Sequence, residues 1–252
     1  VYATATVTIR ILPGMLPAQK LIRTHWFHCD CLANYYHVPV FSEEHWRLLE
    51  NFIRLAVRRG RTMLLTPLFT PPLDTAKGGE RTTVQLVDVR AENGAYSFGF
   101  ERLERWVEMC ERCGVTYYEL SHLFSQWGAV AAPKIVATVD GEEKKLFGWH
   151  TDARGAEYAA FLKAFLTALM KELQKRGVWI FGAEMNGNTS LYEADLKGPA
   201  AIVIGNEGEG MSRLVSEACD FKVSIPMHGR ISSLNASNAA AILLYEAVRQ
   251  RG

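Results

Sequence analysis

The chain has 252 residues, with 28 Lys and Arg against 27 Asp and Glu and a net charge of +1 at pH 7. This length fits one large domain or two small ones, and the charge balance excludes a strongly basic nucleic-acid arm or an acidic tail. No apolar run approaches the roughly 20 residues that cross a bilayer. The N-terminus lacks a basic region followed by an apolar stretch, so no secretory signal is visible. Five Cys in a chain this long do not make a disulfide framework, and the cytoplasm is the expected location.

Strand-like alternation over 5–11 opens the chain. Ser42 is a good N-cap for a helix over 43–59, with Trp46, Leu49, Ile53 and Val57 on one face and Gly60 as the stop. A short apolar strand over 62–66 precedes a long loop, 67–94, containing TPPLDT and GGER. A helix over 100–113 ends at Gly114, and 115–120 is strand-like. The helix 157–175 is closed by Gly177 and followed by strands at 178–182, 200–204 and 222–225, then a final helix over 235–249. Alternation of this kind predicts an α/β class with a mostly parallel sheet covered by helices.

The sharpest motif is AIVIGNEGEGMSRL, residues 201–214, where an apolar strand runs into a turn with three Gly and a helix begins near Ser212. Glycines at a strand end let main-chain groups approach a ligand closely. A second segment follows, the strand VSIPM (223–227), then SSLNASNAAAILLYEAVRQ (232–250), whose helix has a small face at Ala236, Ala239 and Ala240. Together with GVWIFGAEMNGNTSLYEADLKGPA before them, these segments resemble the C-terminal half of SpoU-type RNA 2′-O-ribose methyltransferases of the SPOUT superfamily. The resemblance covers 177–252 and implies half of a trefoil-knotted α/β domain. It also implies S-adenosylmethionine as cofactor, rRNA or tRNA as partner, and a homodimer. Carried over by position, Gly205, Ile225 and Leu234 are cofactor-binding and Glu207, Ser233 and Asn235 catalytic. The residues alone support a plainer reading: Glu207 favoured by a helix dipole, Asn235 as an N-cap. The family's first motif, Asn-x-x-Asn-x-Gly-x-x-x-Arg with its catalytic Arg, has no counterpart in these residues.

Residues 1–176 have a different character, with THWFHCDCLANYYHVPVF, YYELSHLFSQWGAVAAPKI and LFGWHTDARGAEYAAFLKAF placing Trp and Tyr beside acidic groups. They resemble a glycoside-hydrolase-like barrel family related to N-acetylgalactosaminidases. The resemblance implies a partial (β/α) barrel with a carbohydrate pocket among His28, Asp30, Asp74, Glu80, Arg81, Glu119, His122, Gln126 and Trp127. Aromatic faces stack on sugar rings while carboxylates and imidazoles bond hydroxyls. The family's Asp-Glu-Pro segment, which would carry the acidic pair for sugar cleavage, is absent. Ion pairs of Glu119 and Asp74 with Arg81 or Lys134 are the expected alternative to a substitute catalytic pair.

Cys29-x-Cys31 and Cys110-x-x-Cys113 lack the partners that would complete a tetrahedral metal set, and no metal is expected; buried free thiols are. The basic run Arg54, Arg58, Arg59 and Arg61 ends a helix, where cations suit the dipole, and is expected to be a solvated face. The change of character falls at ELQKRGVWIF, 172–181, which predicts a fusion of two incomplete domains, 1–176 and 177–252.

Overall fold

A computed structural model describes residues 4–10, 14, 21–126, 128–205, 210–227 and 234–252. In chain order the elements are β1 (Thr24–His25), α1 (Cys29–Tyr36), α2 (Glu43–Arg58), β2 (Met63–Thr66), β3 (Asp88–Glu92), β4 (Ala95–Gly99), α3 (Glu101–Cys113) and β5 (Tyr117–Leu120). There follow β6 (Ile135–Val139), β7 (Glu142–Phe147), α4 (Ala156–Lys175), β8 (Trp179–Ala183), β9 (Thr189–Ser190), β10 (Ala200–Ile204), α5 (Arg213–Ala218), β11 (Phe221–Ser224) and α6 (Ala236–Gln250). The α/β class holds. The described strands form three separate sheets, ordered β1-β2-β5, β4-β3-β6-β7 and β10-β8-β11-β9.

Local signals explain the helices. The Ser42 hydroxyl accepts from His45 N and caps α2, which buries Trp46, Leu49 and Ile53. Gly114 closes α3 in the left-handed region at φ 92°, a conformation that favours glycine. Asn235 caps α6 by accepting from Asn238 N. The loop expected over 67–94 contains most of a hairpin instead. Asn93 and Gly94, at φ 51° and 75°, make the tight turn between β3 and β4, and Asp140 and Gly141, at φ 51° and 86°, do the same between β6 and β7. The expected first strand does not form over the described residues 5–10, which lie exposed and unpaired, because an alternating segment needs a partner edge to become a strand. The short helix α1 carried no periodic signal in the sequence.

Two hydrophobic cores result. The larger packs α2, α3 and α4 against β2, β3 and β6, with Trp106, Phe69, Phe161 and Phe165 at its centre. Tyr96 and Phe98 of β4 meet the Phe161 and Phe165 rings on α4, at 5.2 and 5.4 Å between centroids. The smaller core gathers Phe181, Leu191, Leu196, Val223, Leu243 and Ala247 between α6 and the last sheet. Between the two, Gln174 Nε2 donates to Asp220 Oδ1 at 2.9 Å, while Asp220 Oδ2 accepts from Ile180 N at 2.8 Å. Arg176 pairs with Glu104 across the same joint.

Candidate functional sites

All strands of β1-β2-β5 run parallel, so their C-terminal ends share one edge. Most of the predicted sugar-pocket residues gather there, in two groups. In the first, Asp30 on α1 receives Arg81 through two bonds of 3.0 Å, Nε to Oδ2 and Nη2 to Oδ1. Arg81 also donates to the Leu73 carbonyl and to Cys31 Sγ. Burial opposes the Arg81 charge, and the bonds and charges of Asp30 and Cys31 more than offset it, so the guanidinium stays ionised. His28 Nε2 lies 2.7 Å from Asp74 Oδ2, and its Nδ1 is buried without a hydrogen-bond partner. Gln126 donates to the Thr75 carbonyl at 2.8 Å, closing this loop beside Asp74.

In the second group, Glu119 at the end of β5 accepts from the Thr24 hydroxyl at 3.0 Å, and the His122 ring meets Trp26 edge-on at 5.8 Å. The ion pairs expected of Asp74 and Glu119 with Arg81 or Lys134 do not form: Arg81 is taken by Asp30 and Lys134 by Glu80. Glu80 turns away to Lys145 as well, whose bond, with Lys134 nearby, holds its carboxyl below the usual range. The cavity beside Glu80, Arg81, Lys134 and Trp149 holds about 20 Å³, room for a water and not for a sugar ring. Trp26 and Phe124 instead leave broad aromatic surface exposed along the open edge. Trp127 lies outside the described residues. Thr24 and Trp26 were missed from sequence, although THWFH carries both within four residues of His28.

The cysteine expectation needs one correction. Cys29, Cys110 and Cys113 are buried, and desolvation pushes each thiol up. Cys31 is exposed, because α1 turns it outward against Arg81. No group of three His, Cys, Asp or Glu side chains is arranged for a metal among the described residues.

The second site lies on β10-β8-β11-β9, again all parallel. Ala183 is the register partner of both Ile204 and Val223, so β8 and β10 end on one line and β11 ends one residue beyond it. Gly205 stands one residue beyond that line and Ile225 two. A Cβ at Gly205 would lie 2.2 Å from the Gly210 carbonyl carbon and 2.4 Å from Met211 N. Gly210 and Met211 therefore lie against the end of β10, and only glycine fits at 205. Gly182 on β8 admits the Met211 side chain and Cys219 in the same way. The Cys219 thiol is pushed up to about 11 by burial, with Glu184 and Asp220 adding to it. Leu234 precedes Asn235, whose side-chain oxygen is committed to capping α6. Glu207 and Ser233 lie outside the described residues.

Residues 26–190, well over half of the chain, match the family Glycoside hydrolase 123, catalytic domain. The chain belongs to that family. Residues 137–245 match the SpoU rRNA Methylase family, so the glycoside hydrolase 123 match and the SpoU match share 137–190, including α4 and β8. The C-terminal part is SpoU-like at high identity. The 23S rRNA (guanosine-2′-O-)-methyltransferase RlmB of Ralstonia nicotianae is 55% identical over 86 residues, 34% of this chain and 34% of the relative. RlmB of Shewanella oneidensis is 56% identical over 86 residues, 34% of this chain and 35% of that protein. The chain thus spans about a third of the length of the curated relatives it matches. Among solved structures, the SpoU methyltransferase AviRb of Streptomyces viridochromogenes is 32% identical, with 40% of this chain and 46% of that chain covered and a TM-score of 0.32. No described helix is long and apolar enough to cross a membrane.

Proposed function

We propose that the SpoU-like part binds S-adenosylmethionine and serves 2′-O-ribose methylation of RNA. The observation that carries this reading is that β8, β10 and β11 end within one residue of a common line, with Gly205 and Ile225 just beyond their ends. A parallel sheet gathers ligand-binding loops at its carboxyl edge. The cofactor fits the residues present: Gly205 lets the main chain of Gly210 and Met211 lie against the end of β10, and main-chain donors and acceptors suit an adenosyl group. Gly205, Ile225 and Leu234 are the residues that would hold it. S-adenosylmethionine, when bound, supplies an electrophilic methyl group. Glu207, Ser233 and Asn235 would orient the ribose hydroxyl beside it, and fixed orientation supplies much of the rate in such transfers. In this reading 177–252 is the second half of a trefoil-knotted domain, fused at 176–177 to part of a (β/α) barrel, and the chain acts in the cytoplasm as a homodimer. The first-motif Arg is absent from these residues, so binding is expected to be intact and methyl transfer slow.

Calorimetric titration of S-adenosylmethionine into the chain tests this. Micromolar binding that is lost in an Asn235→Ala, Leu234→Asp variant is the expected result. A cooperatively folded chain that releases no heat of binding overturns it.

The exposed Trp26 and Phe124, beside Glu119, His122 and the His28–Asp74 pair, favour a second reading, a carbohydrate-binding edge on the glycoside hydrolase 123 part. Without the Asp-Glu-Pro segment that edge would hold glycans and not cleave them. Quenching of Trp fluorescence by N-acetylgalactosamine oligomers is expected, and its absence across a glycan array removes the reading.

A further inference from the structure

The opposite edge of β1-β2-β5, where the strands begin, collects arginines. Arg58 and Arg59 end α2, Arg61 leads into β2, and Arg23 precedes β1. The backbone ties these positions together. Arg23 N donates to the Thr62 hydroxyl at 2.8 Å, and the Arg23 carbonyl accepts from Thr62 N and Met63 N at 3.2 and 3.0 Å. The Arg23 guanidinium lies over Gly60, where an added Cβ would sit 3.5 Å from its Nη1. Tyr117 N donates to the Thr62 carbonyl at 3.1 Å, which brings the start of β5 to the same place. Above the Tyr117 ring, at 5.7 Å, stands the guanidinium of Arg251, just beyond α6. Arg251 is held there by the carbonyls of Leu196 and Gly198 at 2.9 and 2.7 Å.

None of these five guanidiniums has a carboxylate at ion-pair distance among the described residues. Elsewhere the chain pairs its helix-surface arginines: Arg47 with Glu44, Arg105 with Glu43, Arg213 with Glu217. The contrast runs through α2 itself. Arg54 is bound to Glu50 at 2.6 Å, whereas Arg58 and Arg59, one turn on, are free of acid partners and exposed. The basic run is exposed at Arg54, Arg58 and Arg59, as a solvated face requires, but of its members only Arg54 has an acid partner among the described residues. Its last three members join Arg23 and Arg251, 35 or more residues away in sequence, into one positive edge on a chain whose net charge is only +1. Unpaired like charges gathered on one edge are stabilised by an anion, and the planar guanidinium fork matches phosphate oxygens. The edge reaches from the glycoside hydrolase 123 part to the end of the helix that follows Leu234 and Asn235, so one extended polyanion would contact both parts.

We infer that the edge formed by Arg23, Arg58, Arg59, Arg61 and Arg251 binds the phosphodiester backbone of RNA. The choice of RNA over another polyanion rests on the methyltransferase reading; the charge and geometry of the edge do not. Contacts of this kind position a nucleic acid without reading its sequence.

The test is binding of a labelled rRNA hairpin to the full chain, by fluorescence anisotropy at several salt concentrations. In an Arg23→Ala, Arg59→Ala, Arg61→Ala variant the affinity at low salt should fall at least tenfold, and the slope of log K against log salt should shrink by about 2. Lys at the same three positions should restore the slope, since a point charge still releases counterions. An Arg47→Ala, Arg213→Ala variant should match the parent. On the unsubstituted chain, RNA should slow hydrogen exchange over residues 58–63. A triple Ala variant that binds like the parent, or exchange unaltered by RNA over 58–63, overturns the proposal. Calorimetry with S-adenosylmethionine separates the two readings. Arginine-dependent RNA binding without cofactor binding sinks the methyltransferase reading alone, whereas cofactor binding with arginine-independent RNA binding sinks this one alone.

Discussion

Asp30 and Arg81 illustrate how a single pair fixes an edge. Both side chains are largely buried, at 4% and 11% exposure, and the pair is bidentate. A buried pair contributes little net stability when formed, because desolvating two charges offsets their attraction, yet removing one partner strands the other. Asp30→Ala should therefore destabilise the chain by about 3 to 5 kcal/mol, read by denaturant unfolding, with Asp30→Asn intermediate. The pairing partners were not legible in the sequence. Asp30 and Arg81 are 51 residues apart, and the sequence offered Asp74 and Glu119 as carboxylates for the same guanidinium. Only the path of the loop between β2 and β3 assigns Asp74 to His28 and Glu80 to Lys134 and Lys145. The need for glycine at 205 was more legible, because the clash that excludes a side chain comes from residues only five and six positions away.

At the scale of elements, α1 and α2 depend on one imidazole. His45 on α2 is fully buried, accepts from Phe41 N through Nδ1 at 2.9 Å and meets the Cys29 carbonyl through Nε2 at 3.0 Å. With Nδ1 accepting, Nε2 must carry the proton, so the pair of bonds selects one neutral tautomer. Burial holds His45 below the ordinary value of 6.5, against smaller opposing effects of the Cys29 bond and the Asp30 charge. Its unfolded form takes up a proton at higher pH than its folded form, so its contribution is full above about pH 6.5 and is lost as the pH falls through that value toward the folded pKa. The melting temperature should drop between pH 7.5 and 5.5, and less in His45→Gln, which checks the sign. Helices α2, α3, α4 and α6 were legible because cap residues and a 3.6-residue period are written in adjacent positions. The hairpins β3–β4 and β6–β7 carry Asn-Gly and Asp-Gly at their turns, a local signal that the long polar surroundings obscured.

For the whole molecule, the two cores share no residue. Phe161, Phe165 and Leu169 place α4 in the larger one, while β8, immediately after it, sends Phe181 into the smaller. A cavity in one core should therefore leave the other protected. Leu243→Ala, expected to cost about 2 to 5 kcal/mol, should speed hydrogen exchange in β8, β10 and β11 and leave β2 and β5 unaffected. Phe165→Ala should do the reverse; equal acceleration everywhere would show a single cooperative unit. The sequence shifts in composition and motifs at 172–181, whereas the two family matches overlap over 137–190, across α4 and β8.

By itself the sequence determined the α/β class, the limits of α2, α3, α4 and α6, the strand β10 and the two family likenesses, all of which are encoded in short windows of neighbouring residues. The tertiary structure alone decided which carboxylate meets which cation, that Cys31 faces outward, that three strands of the last sheet end within one residue of a common line, and that Arg23 and Arg251 join the arginines after α2. Burial and charge pairing are properties of the packed chain, set by residues far apart in sequence that only folding brings within a few ångströms of each other.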